Sequence, residues 1–163
     1  INRGTRHGVR EGKVVVAAGH LSSTTIGPEQ TPAYERAVVQ GLVGRVTEAG
    51  PNYARVLLIS DLSSSVNVYA QGSNTEGLLE GQGRGSMALK YVRQGELLAV
   101  NDVLLTSGLG GGFPRSLAVG VVSKVEAKDQ ATFQTASVSA LVDLARLDVV
   151  YVIRSFDPIK VGS

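Results

Sequence analysis

Two histidines and several serines are the side chains of this sequence that could take part in acid–base or nucleophilic chemistry. His7 and His20 are the only histidines, and both lie in the turn-rich N-terminal part of the 163-residue chain. Hydrolysis by a serine triad needs a nucleophile, a base and an orienting acid. No serine stands in a Gly-x-Ser-x-Gly or Gly-Asp-Ser-Gly context. We therefore interpret both histidines as solvated loop residues.

Metal and phosphate sites find little support in the sequence. The chain has no cysteine, and its two histidines stand thirteen positions apart, which is not a zinc-ligand spacing. The glycine-rich segments 81–86 and 108–113 lack the Gly-Lys-Ser or Gly-Lys-Thr ending of a phosphate-binding loop. We predict no cofactor and interpret both segments as tight turns.

The charge pattern gives nucleic-acid binding little support. The formal net charge is only +2, and the five Tyr and three Phe do not alternate with basic residues. Arg84, Lys90 and Arg93 could form a small basic patch, although a solvated strand face accounts for them equally well. Two alternatives stay open: a barrel that binds a ligand or nucleic acid, and a trypsin-like hydrolase with an unrecognised dyad.

The elements that would position these side chains are β-strands. Twenty glycines, five prolines and 18% charged residues favour short strands joined by tight turns. Residues 66–70 alternate between apolar and polar or aromatic side chains, and Met87, Leu89 and Tyr91 are predicted to share one strand face in the same way. Nine strands are predicted, at Lys13–Val16, Leu42–Glu48, Arg55–Ser60, Val66–Gln71, Met87–Val92, Val103–Thr106, Val119–Glu126, Phe133–Val138 and Val149–Arg154.

Two short helices and one separating turn complete the predicted elements. Pro32–Gln40 has Thr31 as a candidate N-cap, and Leu141–Leu147 repeats leucine every third residue. The glycine-rich stretch Gly81–Gly85 is predicted to separate two lobes. A weak internal similarity between the two halves of the chain agrees with a duplicated lobe.

Localisation is not fixed by composition. The longest apolar runs, Val14–Ala18 and Val149–Ile153, fall far short of the ~20 residues of a membrane span. The chain opens at Ile1 rather than at methionine, as expected of a product whose targeting segment has been removed.

Three blocks of the sequence carry a resemblance to a known family. The first consists of Gly41-Leu42-Val43-Gly44-Arg45-Val46 and the run Pro51–Asp61. The second consists of Val103–Gly111, Phe113-Pro114 and Val119-Gly120, and is similar to a Thr-Ser-Gly-Leu-Gly-Gly-x-Phe-Pro signature. The third consists of Phe133-Gln134-Thr135, then Asp143, Leu144 and Leu147, and a final apolar strand. Over about residues 1–155, the chain resembles the MreC family of rod-shape-determining proteins.

Three departures from the family pattern are visible. Gly112 stands where family members usually carry an apolar residue, and Ser116 stands where they usually carry glycine. Residues from about 19 to 38 resemble an insertion between the first strand and the Gly41–Val46 block.

The resemblance implies an all-β fold of two small six-stranded-type β-barrels, with short helical turns. Each barrel would be similar to half of a trypsin-like fold without the catalytic residues of the protease. The implied lobes are residues 1–82, which include the insertion, and residues 83–163, with the final strand able to return to the first lobe.

The resemblance also implies a function. It is that of a non-catalytic scaffold of cell-wall elongation that controls rod shape. Implied partners are the elongation transpeptidase, the shape-determining proteins MreD and RodA with the MreB-associated complex, and a second copy of the chain. The implied location is periplasmic or extracytoplasmic, anchored to the inner membrane by an N-terminal segment absent from this chain.

Candidate partner-binding residues come from the second block. Leu109, Phe113 and Pro114 are the candidates, although packing between the two barrels is the simpler interpretation of these side chains. Four glycines are interpreted as residues that shape the backbone at tight turns or barrel bends, namely Gly44, Gly108, Gly110 and Gly120.

Overall fold

The computed structural model describes residues 1–22 and 36–158, and these consist almost entirely of β-strands and turns. In chain order the strands are β1 Val14–Ser22, β2 Arg36–Ala49, β3 Ala54–Leu58, β4 Ser65–Ala70, β5 Glu76–Gly83, β6 Ser86–Arg93, β7 Val103–Thr106, β8 Ala118–Glu126, β9 Phe133–Ala140 and β10 Tyr151–Ile153. A 3₁₀ turn at Thr5–His7 is the helical element of the described residues. No helix in that part of the chain is long and apolar enough to cross a membrane. The all-β prediction is confirmed.

Six of the strands close into a barrel. They are hydrogen-bonded in the order β8-β7-β4-β5-β6-β9, and β9 pairs again with β8. The closing register places Val122 opposite Val138. Because each strand of the ring has a neighbour on both sides, the barrel has no free edge.

The barrel core follows the alternation of its strands. In β4, Val66, Val68 and Ala70 are buried, while the side chains between them are only half-buried. The same cluster includes Leu79 of β5 and Leu89 of β6, each 1% exposed. Burial of one such large apolar side chain is worth roughly 1.5–3 kcal/mol, so the cluster is a main source of stability.

The other four strands form a sheet in the order β10-β1-β2-β3 that packs beside the barrel. β1 is buried on both faces: Val14 and Val16 join the barrel core, and Val15 and Ala17 join a second apolar cluster. Burial on both faces explains why this run is continuously apolar. One parallel pair, Gly41 with Ala118, connects β2 to β8.

A buried lysine fastens the chain beyond β10 to the start of β1. Lys13 is 6% exposed, and its ammonium donates to the carbonyl oxygens of Arg154 and Phe156, at 3.0 Å each. It also contacts the Asp157 carboxylate at 2.5 Å. That hydrogen bond, with the attraction between the two charges, lowers the pKa of Asp157. Three acceptors match the three ammonium protons, which makes the buried position tolerable.

The predicted strands are confirmed, and one further strand was not predicted. Each of the nine predicted strands overlaps an observed one, and β5 is the addition. Its glycines weaken the strand pattern, yet a Cβ at Gly81 would overlap the backbone of Asp61, so glycine is required there. Gly81–Gly85, predicted to separate lobes, forms the end of β5 and the tight turn into β6.

The two predicted helices are wrong where the structure describes them. Residues 32–35 lie outside the described residues, and Arg36–Gln40 belongs to β2. Leu141–Leu147 forms turns, in which the Asp143 carboxylate accepts a hydrogen bond from the Ala145 N–H at 3.1 Å. A side chain that satisfies a nearby backbone N–H in this way competes with helix formation.

The division into lobes 1–82 and 83–163 stays a prediction. The β5–β6 hairpin spans the position of that boundary, and strand pairing places β4 and β5 in the closed barrel with β6 to β9. A boundary between β3 and β4 agrees better with the strand order. The final strand, β10, pairs with β1. Of the predicted insertion, residues 19–22 and 36–38 belong to the β1–β2 hairpin, and residues 23–35 lie outside the described residues.

Candidate functional site

The loop between β7 and β8 contains the three predicted partner-binding residues, and a buried threonine holds it in shape. Thr106 is fully buried, and its hydroxyl donates to the Pro114 carbonyl at 2.6 Å while accepting from the Leu117 N–H at 2.9 Å. The loop is also attached to β4, because the Ser107 N–H donates to the Asn67 carbonyl at 2.9 Å. The loop is thus fixed at both ends by hydrogen bonds.

The structure separates the three candidates. The Leu109 side chain is 58% exposed. Phe113 is half-buried and packs against the barrel core, and Pro114 is held through its carbonyl oxygen. Only Leu109 of the three therefore presents a large apolar surface to a partner.

Glycine is needed at the four predicted backbone-shaping positions for two different structural reasons. Gly108 and Gly110 have φ values of +79° and +78°, which favour glycine because a Cβ is strained there. Gly44 and Gly120 do not have positive φ. A Cβ at Gly120 would lie 2.6 Å from the carbonyl oxygen of Ser139, and one at Gly44 would overlap the backbone of Leu57, so these two permit close approach of strands.

The two departures in this loop have different consequences. Ser116 has φ +70°, a backbone conformation that favours glycine, the residue that the resemblance led us to expect here. Its hydroxyl is hydrogen-bonded to the Tyr69 hydroxyl at 3.0 Å, and the Arg115 guanidinium lies 5.0 Å from the centre of the Tyr69 ring. A Cβ at Gly112 would meet nothing within 4 Å. The hydrogen bond to Tyr69 therefore partly offsets the backbone strain at Ser116, whereas Gly112 faces open space.

Tyr91 is a strained residue that the sequence pattern placed on the wrong face. Met87 and Leu89 are buried, as their alternation predicts, but Tyr91 has φ +61° and is 57% exposed. The pairing of β6 with β9 shifts register between Leu89 and Val92, so a β-bulge turns Tyr91 outward and buries Val92 instead. A bulky residue in this conformation costs of order 1–3 kcal/mol, and such strain concentrates at functional sites.

The exposed Tyr91 lies on a surface of mixed polarity that also includes the exposed Leu109. The rings of Tyr91 and Phe133 meet edge to face, with centroids 5.8 Å apart, and Phe133 is 43% exposed. Beside Tyr91 runs a groove of about 550 Å³ whose lining includes Leu78 and Leu109. We call this surface the Tyr91 face, defined by Leu78, Tyr91, Leu109 and Phe133. Glu76, Arg93 and Glu96 also line the groove and give it a polar margin.

The predicted basic patch is not assembled. Arg93 lines the groove of the Tyr91 face, while Arg84 lines a different groove beside Ser139. Lys90 pairs with Glu80 at 2.5 Å, and this hydrogen bond raises the pKa of the lysine. The three cations therefore do not present one continuous positive surface.

The described histidine has no nucleophile or acid beside it. The His7 ring accepts a hydrogen bond from the Gly4 N–H at 3.3 Å, and its other nitrogen lies 3.4 Å from the Arg3 guanidinium. The side chain of His20 lies outside the described residues. In the part of the chain that is described, no group of three or more acidic or histidine side chains is placed to hold a metal ion.

These observations define a class of protein: an all-β domain with a closed six-stranded barrel and a second sheet beside it. The family model for rod shape-determining protein MreC, barrel core, matches residues 1–154. The chain belongs to the MreC family.

Comparisons with individual proteins agree with this assignment. The cell shape-determining protein MreC of Cereibacter sphaeroides is 35% identical over 117 residues, which cover 72% of this chain and 37% of that protein. Its Escherichia coli counterpart is 28% identical over 148 residues, which cover 90% of this chain and 35% of that protein. The chain thus spans little more than a third of these relatives.

Solved structures of the family have the same fold. The crystal structure of MreC from Pseudomonas aeruginosa superposes with a TM-score of 0.78 at 26% identity, over 94% of this chain and 86% of that chain. MreC in a complex with the penicillin-binding protein PBP2 from Helicobacter pylori superposes with a TM-score of 0.58 at 18% identity, over 88% of this chain and 79% of that one. The second likeness establishes the fold alone.

Proposed function

We propose that this chain is a non-catalytic scaffold of cell-wall elongation that binds the elongation transpeptidase through the Tyr91 face. Family membership supports a role in determining cell shape. The Helicobacter pylori complex supports the class of partner, because a relative with this fold is bound there to a penicillin-binding protein. The sites for chemistry considered from the sequence have no assembled counterpart among the described residues, so surface contact is the mechanism we propose.

The observation that carries the proposal is the outward position of Tyr91. The left-handed backbone conformation of Tyr91 destabilises the fold. It also exposes the ring to solvent rather than burying it in the core. This conformation does not stabilise the folded chain, whereas an exposed aromatic pair is a typical anchor of a protein interface. Leu109, which lines the groove beside Tyr91, adds a second exposed apolar side chain to this surface.

Further partners follow from the family assignment as parts of the same proposal. We include the shape-determining proteins MreD and RodA with the MreB-associated complex, and self-association of the chain. The proposed location is the periplasm, with attachment to the inner membrane through an N-terminal segment outside this chain. The solved major periplasmic domain of the cell shape-determining filament MreC, 18% identical with a TM-score of 0.61, supports both the location and self-association.

A binding titration tests the transpeptidase contact. The soluble domain of the elongation transpeptidase from the same organism is titrated with the chain and with the double variant Tyr91→Ser and Phe133→Ser. Loss of an aromatic anchor worth about 2 kcal/mol weakens binding about 30-fold. The control is Leu62→Ser, because Leu62 is also a large exposed apolar side chain, 77% exposed, but lies in the turn between β3 and β4, outside the groove of the Tyr91 face.

The outcomes separate the surface from the function. Weaker binding of the double variant alone supports the Tyr91 face, and equal weakening by Leu62→Ser rejects it as the specific contact. If the unaltered chain does not bind the transpeptidase at saturating concentrations, the proposed partner is wrong. Analytical ultracentrifugation of the chain alone tests self-association, which predicts a sedimentation coefficient that rises with concentration.

A further inference from the structure

The four-stranded sheet has a groove between its two outer strands, β3 and β10. β3 pairs with β2, and β10 pairs with β1, so in the described residues each of these outer strands has one strand neighbour. Between them lies a groove of about 1110 Å³ whose lining comes from β3, from β10 and from the first residues of the chain. Unlike the closed barrel, this sheet has outer strands that can accept an additional strand.

The floor of this groove is apolar. Val15 of β1 and Val43 of β2 lie at its base, at 0% and 1% exposure. Half-buried Val56 and Leu58 of β3 line one side, and Val152 of β10 lines the other. A segment that enters the groove with alternating apolar side chains could cover these residues in the way a strand covers a sheet edge.

The chain already demonstrates strand pairing on the outer edge of β3. The Ile1 nitrogen donates to the Ala54 carbonyl at 2.8 Å, and the Ala54 N–H donates to the Ile1 carbonyl at 3.0 Å. This reciprocal pair is the hydrogen-bonded pairing of antiparallel strands. Backbone groups alternate in direction along a strand, so those of Val56, two residues further, point to the same outer side. The edge beyond Ala54 is thus in the correct geometry for another extended segment.

Cations predominate at the margin of the groove. Arg3, Arg55 and Arg154 line it, against the single carboxylate of Asp148. Arg55 is paired with Glu48 at 3.3 Å, but its side chain is 75% exposed, so the pair is open to exchange. Apolar floor, strand edge and basic margin together favour an extended ligand that combines apolar and acidic residues.

We propose that the groove between β3 and β10 binds an extended segment of a partner protein, with alternating apolar side chains and acidic residues, as an added strand on β3. Ile1 already occupies the outward backbone groups of Ala54, and the Leu58 carbonyl accepts from the Asp61 N–H at 3.0 Å. The added strand therefore pairs with Val56 and the Leu58 N–H, an edge that about three residues cover at roughly 3.3 Å each. So short a contact gives a dissociation constant on the order of 10–100 μM. This proposal is independent of the transpeptidase contact at the Tyr91 face.

The probe is a fluorescent synthetic peptide of six residues in which valine alternates with glutamate. Fluorescence anisotropy of this peptide is measured with the chain and with the double variant Arg3→Glu and Arg154→Glu. We expect the reversal of two charges to weaken binding more than 10-fold, and added salt to weaken binding to the unaltered chain. The control is Arg84→Glu, which reverses one charge outside this groove and is expected to leave affinity within twofold; each single variant, Arg3→Glu and Arg154→Glu, is compared with it.

Backbone pairing is tested separately from charge. Amide resonances of a ¹⁵N-labelled chain locate the peptide, with the largest shifts expected at Val56 and Leu58. A peptide with proline at its central position lacks one backbone N–H and is expected to bind at least 10-fold more weakly. A peptide with lysine in place of glutamate is expected to show no saturable binding.

Several results would overturn the proposal. These are equal binding of the lysine peptide, equal weakening by Arg84→Glu, and amide shifts away from β3 and β10. The peptide is also tested against a longer form of the protein with residues before Ile1. If this form does not bind the peptide, the groove is occupied by the protein's own chain, and the proposal is wrong. Since the transpeptidase takes no part in these measurements, they can fail without affecting the proposed function.

Discussion

Replacement of Thr106 by valine tests whether one hydroxyl determines the shape of the β7–β8 loop. Valine keeps the volume and branching of threonine but removes the oxygen that bridges Pro114 and Leu117. Two backbone groups then lose their partner. With each loss at about 1 kcal/mol, the low end of the range because Pro114 and Leu117 are half-buried, the variant should be destabilised by about 2 kcal/mol.

The assay is equilibrium unfolding in urea, monitored by circular dichroism. Thermal denaturation is measured in a second experiment with the same readout. For a chain of this length, about 2 kcal/mol corresponds to a fall in Tm of roughly 4–8 °C. The control is Thr106→Ser, which keeps the hydroxyl, removes one buried methyl group and should cost about 1 kcal/mol. If the valine variant is as stable as the serine variant or more so, the hydroxyl is not what holds the loop.

Two further predictions concern the same loop and the buried lysine. Gly108→Val introduces a β-branched side chain at φ +79° and should lower the free energy of unfolding by about 2 kcal/mol in the urea assay. The control Gly112→Val, whose Cβ meets nothing within 4 Å, should lower it by less than half as much. Normal stability of Gly108→Val with loss of partner binding would contradict a structural role for Gly108. Asp157 has a lowered pKa in the folded chain, so its pairing with Lys13 stabilises the fold above the ordinary carboxyl pKa, and this contribution disappears as the pH falls through the folded value. Asp157→Asn should therefore be less stable than the unaltered chain at neutral pH and equally stable in acid, and a difference in unfolding midpoint that is independent of pH would refute this assignment.

Alternation predicted strand faces well until a bulge intervened. Val66, Val68 and Ala70 are buried as expected, because β4 pairs without a register shift. The same reasoning failed at Tyr91, since the extra residue of a bulge is set by pairing with β9, which lies more than forty positions away in sequence. The residue that best marks the Tyr91 face was thus the one that local pattern placed in the core.

Long-range contacts explain the other differences. The threonine of the second sequence block gave no local sign of its role, because its partners lie eight and eleven residues away in the loop that it closes. Lys13 likewise appeared as part of an ordinary strand, although its three acceptors come from residues 154–157. The turn residues at 141–147 carried a leucine spacing that suggests a helix, while Leu144 instead contacts both apolar clusters.

The separation of the two proposed surfaces has a consequence for the scaffold function that we propose. The Tyr91 face lies on the closed barrel and the basic groove lies on the four-stranded sheet, and no residue lines both grooves. Substitutions at sites without shared contacts usually act additively, within about 0.5 kcal/mol. If both proposed surfaces bind partners, occupation of one should leave the affinity of the other within about twofold, and a titration of each probe in the presence of the other measures this. A scaffold needs this independence, because its contribution is the effective concentration that it gives to bound partners.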